Sequence, residues 1–126
     1  MKNDEIIDDV SGFAMPSASK FDVFKLFSLK KRTIVITGSA QGIGRVAAIA
    51  CGKAGGNIAI TDKDFKAANK LEKELKDAGM NAKSWELDVN KENKIIEVFE
   101  KISSHFGSLD VLINNAGTAH RNPAEE

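Results

Sequence analysis

The sequence predicts an α/β protein built on a doubly wound parallel sheet, incomplete at four strands and ordered 3-2-1-4. Three observations predict it. From residue 32 onward, short apolar runs alternate with amphipathic stretches of helical period. The first run, Thr33-Ile34-Val35-Ile36-Thr37, is β-branched without polar alternation, as a strand covered on both faces requires. A glycine-rich turn, TGSAQGIG at 37–44, then joins that strand to a small-residue helix.

The elements follow in order. Residues 1–20 carry acids, Gly12, Pro16 and three serines with no apolar period, and are expected to form a flexible arm. Residues 20–31 (KFDVFKLFSLKK) set Phe21, Phe24 and Phe27 among lysines. Packing on the chain's own domain is the favoured reading, with a membrane-surface helix or a partner motif as alternatives. After the first strand, Ile43, Val46, Ala47, Ala50 and Ala54 repeat with helical spacing as the expected sheet-facing side, and Gly55-Gly56 stops the helix. Asn57 to Thr61 gives the second strand. Phe65 to Ala78 gives a helix with Ala68, Leu71 and Leu75 inward and Glu72 paired with Lys76 outside. Ala82 to Leu87 alternates as a half-exposed edge strand does. Asn90 is the expected N-cap of a helix carrying Ile95, Phe99, Ile102 and Phe106, closed by Gly107, and Leu109 to Asn114 is the fourth strand. Right-handed crossovers leave a crevice between the C-terminal ends of strands 1 and 4, where a ligand belongs.

Composition narrows the function classes. Eighteen basic and eighteen acidic residues cancel, so no global field draws nucleic acid or an anionic membrane, and neither is expected as a partner. No apolar run approaches the length of a membrane span, and Asp4, Glu5, Asp8 and Asp9 stand where a signal peptide would be basic. The single cysteine, Cys51, fits a reducing compartment, and a cytoplasmic location is expected. No cluster of cysteine and histidine has metal-ligand spacing, so no metal site is expected. His105, His120 and Arg121 are read as helix-end or terminal residues rather than as catalytic ones.

The chemistry resides in the glycine turn. Glycines let the backbone bend tightly against a pyrophosphate, while free N–H groups and the positive end of the helix dipole face its charge. With Asp62, Asp88-Val89 and Asn114-Asn115-Ala116-Gly117 following in order, residues 21 to about 122 resemble the short-chain dehydrogenase/reductase family, which uses the form TGxxxGIG. The resemblance implies a partial Rossmann-like domain over residues 21–126 and a nicotinamide dinucleotide as partner. It assigns to cofactor binding the turn residues Gly38, Ser39, Gln41, Gly42, Ile43 and Gly44. Asp62 would accept from the adenosine ribose hydroxyls and repel a 2′-phosphate. Asp88 would accept from the adenine amino group, beside the backbone of Val89. Asn114 would brace the strand end near the cofactor, with Ala116 and Gly117 passing close to its ribose. NAD is favoured over NADP, because Gln41 occupies one of the two places where NADP-preferring members carry a basic residue, although Lys63 occupies the other. In the lead-in, Lys31 stands where the family commonly has glycine.

The resemblance also implies an alcohol/carbonyl oxidoreductase whose acid/base is a tyrosine with a lysine four residues later. This chain contains no tyrosine. No catalytic residue is therefore assigned, and the chain is read as a truncated, cofactor-binding front half, inactive alone. A small alcohol or carbonyl substrate would be handled only after completion by a second half. The lead-in and the tail after NNAG faintly resemble sugar-acid or polyol dehydrogenases, and full-length relatives oligomerise. The alternative is a non-catalytic nucleotide-binding or partner-binding module.

Overall fold

The computed structural model describes residues 21–118; the expected arm at 1–20 lies outside the described residues, as do His120 and Arg121. Along the chain run α1 (Val23–Leu26), β1 (Thr33–Thr37), α2 (Gly42–Lys53), β2 (Asn57–Asp62), α3 (Phe65–Asp77), β3 (Ala82–Glu86), α4 (Glu92–Phe106) and β4 (Val111–Ile113). The four strands are parallel and ordered β3-β2-β1-β4, as the sequence predicts. Every residue of β1 is buried, the burial that its unbroken β-branched run calls for.

The core lies on both faces of the sheet. On one, Ile34, Ile36, Ile58 and Ile60 pack against Ala48 of α2 and Ala68, Leu71 and Leu75 of α3. On the other, Val35 and Ala59 meet Val98 and Ile102 of α4, with Ile95, Phe99 and Phe106 half-buried around them. Among the described residues, no helix is long and apolar enough to cross a membrane.

Several local expectations are corrected. The side of α2 that meets the sheet is Gly44, Ala48 and Gly52, while Ile43 and Val46 are exposed. The start of the helix lies too close to the backbone after β1 for a side chain, since a Cβ on Gly44 would come within 2.9 Å of Ser39 Cα. The lead-in phenylalanines do not pack on the domain: Phe24 and Phe27 are 84% and 74% exposed. Leu29 makes the attachment instead, donating its N–H to Ala54 O at 2.9 Å and packing against the core. Lys31 lies in a left-handed conformation, φ 64°, in a turn closed by Arg32 N–H to Leu29 O. Glycine adopts this conformation without strain, which is the physical content of the family's preference there.

Glu72 does pair with Lys76, but it is buried rather than outside. Its Oε2 accepts from both Ser84 N–H (2.7 Å) and Ser84 Oγ (2.6 Å) on β3. Burial alone would raise its pKa; the hydrogen bonds from Lys76 and Ser84 outweigh burial and hold the carboxyl below its ordinary value. α4 starts at Glu92 with Lys91 at its N-cap, so Asn90 is not the cap. β4 is shorter than the expected Leu109–Asn114: Asp110 N–H still reaches Thr33 O of β1, but past the strand the backbone turns to a side chain, Asn115 N–H donating to Thr37 Oγ1.

Candidate functional site

The C-terminal ends of β1, β2 and β4 and the N-terminus of α2 enclose a crevice of about 630 Å³. That size lies within the range of small-molecule and cofactor sites. Its floor is the glycine turn. Gly38 and Gly42 have φ of 62° and 58°, in the left-handed region, so the chain leaves β1 and enters α2 in a bend that other residues adopt only with strain. A Cβ on Gly44 would come within 2.5 Å of Gly38 O and of Asn115 Nδ2, so this glycine permits the turn and the β4 loop to touch. Gln41 is the N-cap of α2 and makes no side-chain hydrogen bond to it, which leaves the N–H groups of the first turn without a side-chain partner. An uncapped helix N-terminus over a glycine cradle is a fit for an anionic pyrophosphate.

Against the turn stands Asp62 at the end of β2, 7% exposed. Its Oδ2 accepts from Ala40 N–H and its Oδ1 from Asp64 N–H, each at 3.0 Å, which fixes the carboxylate at the crevice wall. Asp88 lies on the same wall beyond Leu87, and its Oδ1 accepts from both N–H and Nδ2 of Asn90, each at 3.0 Å. The backbone hydrogen bond from Asn90 is the main cause that holds the Asp88 carboxyl below the ordinary aspartate value, with Lys91 and Lys63 adding charge attraction.

The remaining side is closed by the loop after β4. Thr37 Oγ1 accepts from Asn115 N–H and Ala116 N–H, both at 3.0 Å. Asn115 Nδ2 donates to Thr37 O at 3.0 Å and Gly38 O at 3.1 Å. Bracing thus falls on Asn115, whereas the sequence reading placed it on Asn114. Asn115 was legible only as the second asparagine of the motif.

Nine of the expected cofactor-binding residues line the crevice: Gly38, Gln41, Gly42 and Ile43 in the turn, Asp62, then Asp88 and Val89, and Ala116 with Gly117 in the loop. Ser39, Gly44 and Asn114 do not. Ser39 is fully buried, its Oγ donating to Ile36 O at 2.8 Å and accepting from Thr61 N–H at 3.1 Å, so its hydroxyl ties β1 to β2. Beyond the expected set, Lys63, Leu87, Asn90, Asn115 and Thr118 also line the crevice.

A family model described as short chain dehydrogenase matches residues 32–126. The chain is 40% identical over 101 residues to the 5-keto-D-gluconate 5-reductase of Escherichia coli strain K12, an overlap covering 80% of this chain and 40% of that protein. Among solved structures, a hydroxysteroid dehydrogenase from Escherichia coli superposes with a TM-score of 0.75 at 29% identity, over 79% of this chain and 43% of that one. A protein from Haemophilus influenza assigned as a D-mannonate oxidoreductase, with bound NAD, superposes with a TM-score of 0.72 at 32% identity, over 79% and 35% of the two chains. This chain thus spans about two fifths of the length of the reductase it matches. With the glycine turn, the parallel sheet order and the β4 loop in register with the family pattern, the chain belongs to the short-chain dehydrogenase/reductase family of oxidoreductases.

Proposed function

We propose that the chain binds a nicotinamide dinucleotide, NAD in preference to NADP, and serves as the cofactor-binding part of an oxidoreductase acting on alcohol and carbonyl groups. The observation that carries this reading is the uncapped N-terminus of α2 opening onto a crevice with Asp62 on its wall. Gly38, Gln41, Gly42 and Ile43 would hold the pyrophosphate through backbone N–H groups and the helix dipole. Asp62 would accept from the ribose hydroxyls with the lone pairs that Ala40 and Asp64 leave unused. Its negative charge disfavours a 2′-phosphate, and Lys63 beside it moderates that selection. Asp88 and Val89 would take the adenine, and Ala116 and Gly117 the second ribose. When bound, the nicotinamide ring supplies or accepts the hydride.

The 126-residue chain holds no tyrosine, so the acid/base of the family's chemistry is not among its residues. We infer that this chain alone binds cofactor and transfers no hydride. Sugar acids are the substrate class that the gluconate and mannonate relatives favour.

Titrating the chain with NAD and with NADP in a calorimeter tests the reading, with circular dichroism establishing that the sample is folded. Tighter binding of NAD is expected, and Asp62→Ala should bring the two affinities together. The absence of heat with either dinucleotide from a folded sample would overturn it.

A further inference from the structure

The geometry points to Asn90 as a positioning residue that aims the Asp88 carboxylate at an amino group of a bound purine. The inference rests on the proposed reading of the crevice and assigns a role to a residue that the family motif leaves out. Both donors of Asn90 that reach Asp88, the backbone N–H and Nδ2, converge on the same oxygen, Oδ1, each at 3.0 Å. Oδ2 receives no hydrogen bond from the described residues, although both Asp88 and Asn90 line the crevice.

A free aspartate rotates about its terminal torsion and presents its two oxygens interchangeably. Two donors on one oxygen remove that freedom, leaving a single aimed acceptor. An acceptor so placed selects a donor in the ligand. Adenine offers an exocyclic amine, whereas hypoxanthine offers a carbonyl oxygen at the same ring position, which a carboxylate repels. Asn90 does not cap α4, where Lys91 holds that place, so the helix start does not account for its Nδ2 contact.

The test compares NAD with nicotinamide hypoxanthine dinucleotide on the folded 126-residue chain. A hydrogen bond to a charged group favours NAD by about 10-fold or more. Asn90→Ala keeps the backbone N–H contact and removes the Nδ2 contact. It should weaken NAD binding about 2–5-fold, because one of the two donors that hold the carboxylate is gone and part of its ordering falls on binding. Hypoxanthine dinucleotide affinity should stay unchanged, so the ratio between the ligands contracts. Asn90→Ser, which returns a short donor, should restore part of that ratio. A wild-type ratio in Asn90→Ala overturns the role of Asn90. Asp88→Ala separates the two levels: if it collapses the ratio while Asn90→Ala does not, only the Asn90 inference falls. If Asp88→Ala also leaves the ratio unchanged, the adenine reading of Asp88 falls with it.

Discussion

At the β3 edge, the Ser84 N–H that points away from β2 is taken by Glu72, a carboxylate delivered from α3 and buried at 9% exposure. At the β4 edge, Val111 and Leu112 are 38% and 43% exposed, and among the described residues no side chain hydrogen-bonds to either. An outward N–H covered by a charged group no longer offers a template to another strand, whereas bare edge groups beside apolar side chains do. Among the described residues, the β3 edge is covered by a buried carboxylate and the β4 edge carries exposed apolar side chains. The lone aromatic cluster among the described residues, Trp85 with His105 and Phe106, also lies toward β3 and α4, adding to the covered side.

The largest effect should come from uncovering the β3 edge. Glu72→Ala leaves the Ser84 N–H buried without a partner and should cost about 2–3 kcal/mol in urea unfolding. A loss below the scatter of such measurements would mean that water replaces the carboxylate there. The same residue predicts an acid response. Its folded pKa lies below the ordinary glutamate value of about 4.3, so its stabilisation is complete above that value and disappears as pH falls through the folded one. Glu72→Gln should flatten that part of the stability-pH curve.

Next in size is Asn115→Ala, which removes the Nδ2 contacts to Thr37 O and Gly38 O and should cost about 1–2 kcal/mol. Hydrogen exchange would then rise at β4 and not at β3. Smaller and opposite in sign, Lys31→Gly relieves a left-handed lysine and should raise stability by about 0.5–1 kcal/mol, read from the thermal midpoint. Smallest of all in stability, within about 0.5 kcal/mol, is Leu112→Lys. The exposed edge is expected to pair with a second copy in sedimentation at high concentration, and the edge lysine to suppress that association. Unchanged association would locate the sticky surface elsewhere, with the exposed Ile43 and Val46 side of α2 the first place to look.

What the sequence made legible was the part governed by period. Alternating strand and helix signals and the position of the glycine turn lead to the observed strand order, because a parallel sheet with right-handed crossovers permits few arrangements. What it concealed were facts of close approach and tertiary pairing. The inward side of α2 was hidden because Gly44 and Gly52 have no side chain to register in an apolar pattern, while Ile43 and Val46 do. Glu72 and Lys76 read as a solvent pair because an i,i+4 spacing carries no information about Ser84 across the fold. Asn114 and Asn115 are the same residue side by side, and only the turn of the chain away from β1 decides which of them reaches Thr37. Asn90 offered a helix-capping signal, but its side chain is spent on Asp88.

The bond from Asn115 to Thr37 joins residues 78 apart in the chain, with α2, β2, α3, β3 and α4 all lying between. Closing a loop of that length costs about 4 kcal/mol of chain entropy, which the intervening elements offset by holding the two ends together in the fold. The crevice draws its floor from the turn after the first strand and one wall from the loop after the last. A ligand that spans the crevice touches both ends of that long loop at once. Its stabilisation of the folded chain, RT ln(1 + [L]/Kd), would therefore hold β4 and its loop against β1.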